Sequence, residues 1–246
     1  MRVLYILSHH DDEYGCVPLI RKFAAQGAEQ HFVFMTACGD TPLAHRRQAE
    51  SKAFLAHLGI QNADCTFLGF DQSVETYKLH ERLGAARKAL HSLLSDHASP
   101  DVIVTHAWEG GHVDHDVCHA LVCELLRLFP ESKGFQIPLY HMLNRRWPIF
   151  QSASPLPDNG VVLRLSLSHA EWRNYLLLAR HFESQWRVLL VLLPVMFASF
   201  AMHGYRYQRI ERDRCRTRPH LGPLMYEQTS ALRFEVLSKI LQRELD

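Results

Sequence analysis

Through its first 140 residues the chain alternates short apolar runs with longer amphipathic stretches, and this alternation restricts its fold more than any other feature. The runs at 2–7 (RVLYIL), 31–36 (HFVFMT), 65–68 and 101–105 (DVIVT) read as buried strands, with 137–140 as a fifth. The stretches 14–27, 43–58, 75–97 and 113–128 read as helices. Gly27 and Gly59 close the first two, as C-terminal glycines do. Leu79, Leu83, Ala86, Leu90 and Leu93 repeat at helical spacing in the third, which Ser99-Pro100 ends. Strands alternating with helices across short loops predict an α/β fold: a Rossmann-like three-layer sandwich around a mostly parallel sheet. Such sheets hold their ligands at the carboxyl ends of the strands. The polar clusters 8–13 and 106–115 should therefore face each other across one crevice.

The last hundred residues are less regular and predict a mainly helical C-terminal extension. A strand is expected at 161–165, and helices at 168–187 and 226–244. Between them lies VLLVLLPVMFASFA, 188–201, interrupted by Pro194. It falls short of the roughly 20 apolar residues of a membrane span. A buried helix or hairpin is the plain expectation. The sharper alternative is peripheral contact with a membrane or a lipid-linked substrate through 188–218, because the basic run RYQRIERDRCRTR follows directly. With no repeat or linker in view, 1–246 is expected to be a single domain, with a catalytic core at 1–145 and a C-terminal part at 146–246.

Composition removes some partners. A net charge of +1 gives no global electrostatic case for nucleic acid. The six cysteines show neither zinc-finger nor redox-dithiol spacing, which suits free thiols in a reducing compartment. The first residues, MRVLYILSHHDDE, end their apolar run in charge too early for a signal peptide, so a cytoplasmic location is expected. Histidine is abundant, 17 in 246, which makes its placement worth reading.

Two clusters mix imidazole and carboxylate where such a sheet keeps its ligands: Ser8-His9-His10-Asp11-Asp12-Glu13 and Gly110-Gly111-His112-Val113-Asp114-His115. A catalytic zinc needs three protein ligands and an open position for water. His9 and Asp12, three residues apart at a strand end, fit two ligands, and His115 from the opposite loop completes the set. Asp11, adjoining Asp12, is the candidate general base. His112 is the candidate donor to the oxyanion formed on attack. Asp114 is the carboxylate that would orient an imidazole from behind. Read separately, each cluster is an ordinary helix-capping or polar turn sequence; their joint placement carries the chemistry.

At these residues the chain resembles the PIG-L superfamily, also called LmbE-like, of zinc-dependent N-acetylglucosaminyl deacetylases. The family motif A-H-P-D-D-E stands here as Ser8 to Glu13, and G-H-P-D-H as Gly111 to His115. The family's Arg-x-x-Glu helix running to Leu-Gly corresponds to Arg47 and Glu50, then Leu58-Gly59. Leu68-Gly69-Phe70-Asp71 and Ser184-Gln185 match two further patterns. The resemblance implies His9, Asp12 and His115 as zinc ligands, Asp11 as general base, His112 as stabiliser of the tetrahedral intermediate, and Arg47 as a substrate contact. Both motif prolines are replaced, by His10 and Val113, and no tyrosine precedes His112 at 109–111.

The expected activity is hydrolysis of the acetyl amide of an N-acetylglucosamine-type sugar or its conjugate, with Zn2+ or another divalent transition metal as cofactor. Three alternatives stand beside it. One is a deacylase for another amide, such as an acylated antibiotic or a lipid-linked glycan. Another is a metallophosphoesterase, which would need a bridging carboxylate and more ligands. The last is a non-catalytic binding module, against which neither G-x-G-x-x-G nor a phosphate loop follows the first strand.

Overall fold

A computed structural model describes residues 1–245 except 40, 62–63 and 96–97. The end of the helix expected at 75–97 lies outside the described residues. The first strand, β1 (Arg2–Leu7), is buried on both faces, as a central parallel strand must be. It pairs in parallel with β2 (Glu29–Phe34) on one side and β4 (Val102–His106) on the other. β3 (Cys65–Thr66) extends the sheet beyond β2, and β5 (Lys133–Ile137) extends it beyond β4, both in parallel. Two C-terminal strands finish the sheet antiparallel: β9 (Tyr205–Arg209) on β5, and β8 (Val162–Leu165) on β9. The order is β3-β2-β1-β4-β5-β9-β8, a seven-stranded sheet. A separate hairpin pairs β6 (Tyr140–His141) with β7 (Gln151–Ser152).

Helices cover both faces, which explains why the central strands lack an apolar–polar alternation. On one face α1 (Val17–Ala25) and α2 (Pro42–His57) contribute Leu19, Ile20, Phe23, Phe54 and Leu55 to one core. On the other, α4 (Leu83–Ser95), α5 (Val113–Leu128) and α9 (Phe234–Leu245) close a second core around Ile6, Ile103, Leu121 and Leu237. A one-turn helix, α3 (Leu68–Asp71), crosses β2 so closely that a Cβ on Gly69 would fall 2.3 Å from the Thr36 backbone.

The helix expected at 168–187 ends at Leu178, and the C-terminal part departs from expectation in three further places. Residues 206–209, the start of the basic run, lie in β9, a strand of the main sheet. The apolar segment is neither hairpin nor buried: it lies within α7 (Trp186–His203), which continues through Pro194 and stays largely exposed. It follows α6 (His169–Leu178), whose start is fixed by a Ser168–Glu171 capping box. The helix expected at 226–244 is broken into α8 (Met225–Thr229) and α9.

Candidate active site

The strand order reverses between β1 and β4, so their connections leave in opposite directions and open a crevice at their carboxyl ends. His9 follows β1, His106 ends β4, and His112 and His115 open α5. The expectation that clusters 8–13 and 106–115 meet is borne out. His9 Nδ1 lies 3.3 Å from His115 Nε2 and 3.4 Å from Asp12 Oδ2. Asp12 Oδ1 lies 3.4 Å from His115 Nε2.

The turn that presents Asp11 and Asp12 is held from several sides. Asp11 adopts φ 113°, a conformation that costs a non-glycine residue energy and tends to persist at functional sites. Its N–H donates to Glu13 Oε2 at 2.9 Å, and the His9 N–H donates to Asp12 Oδ2 at 2.6 Å. Where the motif has proline, His10 stacks on Phe34 and Phe67 with ring centres 5.3 Å away in each case. Packing thus replaces the ring constraint of proline.

The opposite loop is equally fixed. Asp116 Oδ1 accepts from the N–H groups of Glu109 and Gly110, and Glu109 Oε1 accepts from those of Leu139 and Tyr140. His112 caps α5, its Nδ1 accepting from the Asp114 N–H at 3.1 Å. With Nδ1 accepting, a neutral His112 carries its proton on Nε2 and is a donor there. Asp114 Oδ2 faces His9 Nε2 at 3.2 Å and accepts from the Tyr77 N–H at 2.6 Å. Its Oδ1 accepts from the Leu79 N–H at 3.1 Å.

Electrostatically the site calls for positive charge. Burial opposes ionisation of Asp12, but His106, His115 and His9 outweigh it and hold the carboxyl well below its usual range. Burial lowers the His9 imidazole, yet Asp12 and Asp114 prevail and raise it to about 10. Burial, reinforced by His106, depresses His115 to about 4, and burial with His9 and His115 holds His112 well below its ordinary value. Burial and then the charge of Asp12 push Asp11 well above the ordinary carboxyl range.

The donor set suits a divalent cation. Ligand atoms about 2.0–2.1 Å from a tetrahedral ion lie roughly 3.3–3.4 Å from one another. Donor atoms of His9, His112 and His115 lie within 4.8 Å of one another, as do those of Asp12, His106 and His115. The two groups meet at His115.

Four residues near this centre were given no chemical role in the sequence, Gln185 being marked only by its Ser-Gln pattern. His106, wholly buried, accepts from the Ser8 N–H at 3.0 Å, lies 3.2 Å from Asp12 Oδ2, and stacks on His115 at 4.0 Å. Its only sequence signal is an imidazole ending a parallel strand. Gln185 accepts from Arg47 Nη2 at 2.8 Å and donates to the His10 carbonyl. Tyr77 lies 4.1 Å from the His112 ring, and Tyr140 5.5 Å from the His115 ring. Aromatic rings thus reach the site from other loops, although none precedes His112.

These residues open into a cavity of about 260 Å³. Asp11, Arg47, Tyr77 and His112 form its polar side, and Val188, Leu189, Leu192 and Met196 of α7 form an apolar wall.

Residues 4–126 match the model of the family PIG-L, GlcNAc-PI de-N-acetylase, over half of the chain. The chain belongs to the PIG-L family. No curated protein sequence matches it significantly. Among solved structures, a deacetylase of teicoplanin biosynthesis in complex with bog is similar with a TM-score of 0.62 at 16% identity, covering 86% of this chain and 99% of that one. The zinc-inhibited form of teicoplanin deacetylase is similar with a TM-score of 0.60 at 16% identity, covering 86% and 99%. The N,N'-diacetylchitobiose deacetylase from Pyrococcus horikoshii is similar with a TM-score of 0.59 at 17% identity, covering 92% of this chain and 88% of that one. At these identities the likeness is one of fold, a PIG-L-type α/β fold with a mostly parallel sheet.

Proposed function

We propose that this PIG-L family protein is a metal-dependent hydrolase that removes the acetyl group from an N-acetylglucosamine-type sugar or its conjugate. The observation that carries the reading is that His9 Nδ1 and His115 Nε2 lie 3.3 Å apart and that Asp12, next to Asp11, sets one carboxylate oxygen 3.4 Å from each: Oδ2 from His9 and Oδ1 from His115. His9 Nδ1, Asp12 and His115 Nε2 would hold the cation, zinc by preference and another divalent transition metal otherwise. The cation would polarise the amide carbonyl and make water a stronger acid.

The remaining chemistry falls to the chain's own groups. Asp11, as the carboxylate, takes the proton from the attacking water and delivers it to the leaving nitrogen, and its burial strengthens its hold on that proton between the two steps. The products are a carboxylate and the protonated amine, which carries both protons of the water. His112, neutral and with Nε2–H as its donor, faces the cavity and stabilises the oxyanion. Asp114 accepts from His9 Nε2–H and fixes that ring with Nδ1 toward the centre. Arg47, held by Gln185, offers a cation to the polar end of the substrate.

A second substrate reading rests on the apolar wall. Val188, Leu189, Leu192 and Met196 suit an amine that carries an apolar group, as in an acylated antibiotic or a lipid-linked glycan. Three fold relatives are named for comparable chemistry, two acting in teicoplanin biosynthesis or on teicoplanin and one on N,N'-diacetylchitobiose. A phosphoesterase built on two ions about 3.5–4 Å apart is disfavoured, because among the described residues no carboxylate belongs to both donor groups and could bridge the ions.

The deciding experiment screens free, oligomeric and lipid-linked N-acetyl sugars for released acetate, with zinc counted per chain. Release from at least one sugar at one bound ion per chain is expected. Phosphoester cleavage without acetate release, at two ions per chain, would overturn the reading.

A further inference from the structure

The helix α7 presents a contradiction in packing. It is apolar on all sides, and a helix of that kind is normally enclosed by a protein core or by lipid. The most apolar 18-residue window of Glu183–His203 has a mean hydropathy of 1.7, yet only 22% of it is buried. One stripe, Leu189, Met196 and Phe200, enters the core. The rest faces outward: Leu190 is 64% exposed, Val191 61% and Met202 69%. Beside it α6 exposes Leu176 and Leu177. The loop 144–149 exposes Trp147 and Ile149, and Trp147 lines a cleft of about 240 Å³ together with Val188, Val191 and His112. Trp147, Val188 and Val191 therefore border the cleft beside the candidate active site, and Leu176 and Leu190 line an apolar groove on the other side of α7.

Charge identifies what covers this face. Arg145 and Arg146 precede Trp147, and Arg173, Arg180 and Arg187 lie along α6 and α7 or between them. All five are exposed, and none makes an ion pair among the described residues. The acids in the same stretch are engaged elsewhere: Glu183 pairs with Arg46 at 3.0 Å, and Glu171 caps α6. An apolar patch bordered by tryptophan and by arginine without a carboxylate partner, one of them (Arg187) lying over the Trp186 ring, matches the depth profile of a membrane interface with anionic lipid. A second copy would fit poorly, because a two-fold contact would set each basic rim against itself. α7 does not cross the bilayer. Its 18 residues span about 27 Å, one stripe is committed to the core, and β9 returns at once to the sheet.

We propose that the face made by α7, the end of α6 and the loop 144–149 docks on the surface of an anionic lipid bilayer, so that the catalytic cleft opens at the interface.

The test is flotation of the full chain, without substrate, on phosphatidylcholine vesicles with and without phosphatidylglycerol. Binding should rise about tenfold or more with the anionic lipid and fall with added salt. The triple variant Ile149→Ser, Leu177→Ser and Leu190→Ser, checked for an unchanged melting temperature, should lose about tenfold or more in binding. Should that variant fold poorly, the pair Arg145→Glu and Arg146→Glu, on an exposed loop, should still abolish the anionic preference. The proposal is overturned if the wild type stays unbound on anionic vesicles, if the folded variants bind as it does, or if lipid-free sedimentation gives a dimer that Leu190→Ser dissolves. Vesicle binding is read without turnover, so its failure would leave the deacetylase reading standing, and the reverse.

Discussion

His9 is held between two carboxylates, with Asp12 at Nδ1 and Asp114 at Nε2. This fixes the ring and explains the division of labour expected on substitution. Alanine at His9, Asp12 or His115 should remove metal and activity together. Asp11→Ala should keep one ion per chain and lose roughly 10²–10⁴ in kcat, read by metal analysis alongside single-turnover rates. Asp114→Ala should sit between them: metal affinity roughly 10–100-fold weaker in chelator competition, because the ring behind Nδ1 is released. Loss of metal in Asp11→Ala would show the roles of the two aspartates to be reversed. A second residue-scale expectation concerns His141, which burial lowers to about 4. Its Nδ1 accepts from the Leu143 N–H, so protonation there breaks a bond. The unfolded ring binds its proton near pH 6.5 and the folded ring only near 4. Its stability contribution is therefore complete above about 6.5 and is lost as pH falls toward 4. His141→Asn should lose several degrees less melting temperature over that window than the wild type. The proposed ligands and base were legible in sequence because each cluster stands at a strand end. His106 was not, because a strand buried on both faces shows no alternation to single out its last residue. Gln185 was marked by a family pattern, but its contacts with Arg47 and the His10 carbonyl were not readable, and Tyr77 was not marked at all, because each comes from a distant part of the chain.

At the scale of elements, α5 does most of the positioning, since its first turn carries His112, Asp114 and His115. The loop before it passes tightly under β6: a Cβ on Gly111 would fall 2.1 Å from the Tyr140 carbonyl oxygen. Nothing flexible can give way there, because Tyr140 is tied through its N–H to the buried Glu109. Gly111→Ala should therefore displace His112, with activity at least ~10-fold down and the melting point several degrees lower. Gly27 offers the contrast, since a Cβ there meets nothing within 4 Å and only its φ of +67° resists. Gly27→Ala should cost about 1 kcal/mol and leave turnover unchanged; equal effects at the two glycines would refute the steric argument. The elements of the first half were readable because strand and helix periods differ and glycines close two helices. β5 lies at Lys133–Ile137, ahead of the 137–140 expected. Its start, Lys133-Gly134, has no apolar signal and gains strand structure from pairing with β4. The fate of 188–201 was not readable, since its length and composition are the same for a buried helix and for one lying on a surface.

At the scale of the molecule, the question is whether 1–145 and 146–246 fold as two bodies. The sheet argues for one. β9 lies between β5 and β8, and its Arg209 and Gln208 pair with Phe135 and Gln136. Removing everything after 145 would strip β5 of its outer neighbour and expose an unpaired edge. It would also uncover the first core, which takes Tyr175, Phe182 and Phe200 from the C-terminal part, and the second, which takes Leu237 and Leu241. Hydrogen bonds run the same way, with the Tyr175 hydroxyl on the Tyr14 carbonyl at 2.8 Å and the Tyr205 hydroxyl on the Gly15 carbonyl at 2.9 Å. We therefore propose that 1–246 is one cooperative domain. Urea unfolding followed by far-ultraviolet circular dichroism and by tryptophan fluorescence should give coincident transitions. The probes are separated for the purpose, because the tryptophans lie at 108, 147, 172 and 186 and three of the four are in the C-terminal part. A fluorescence transition that precedes the loss of secondary structure would mean that the C-terminal part unfolds by itself, and a soluble, folded 1–145 fragment would mean the same. The coincidence should persist when zinc raises the midpoint, since a ligand bound only by the folded state shifts a two-state equilibrium as a whole.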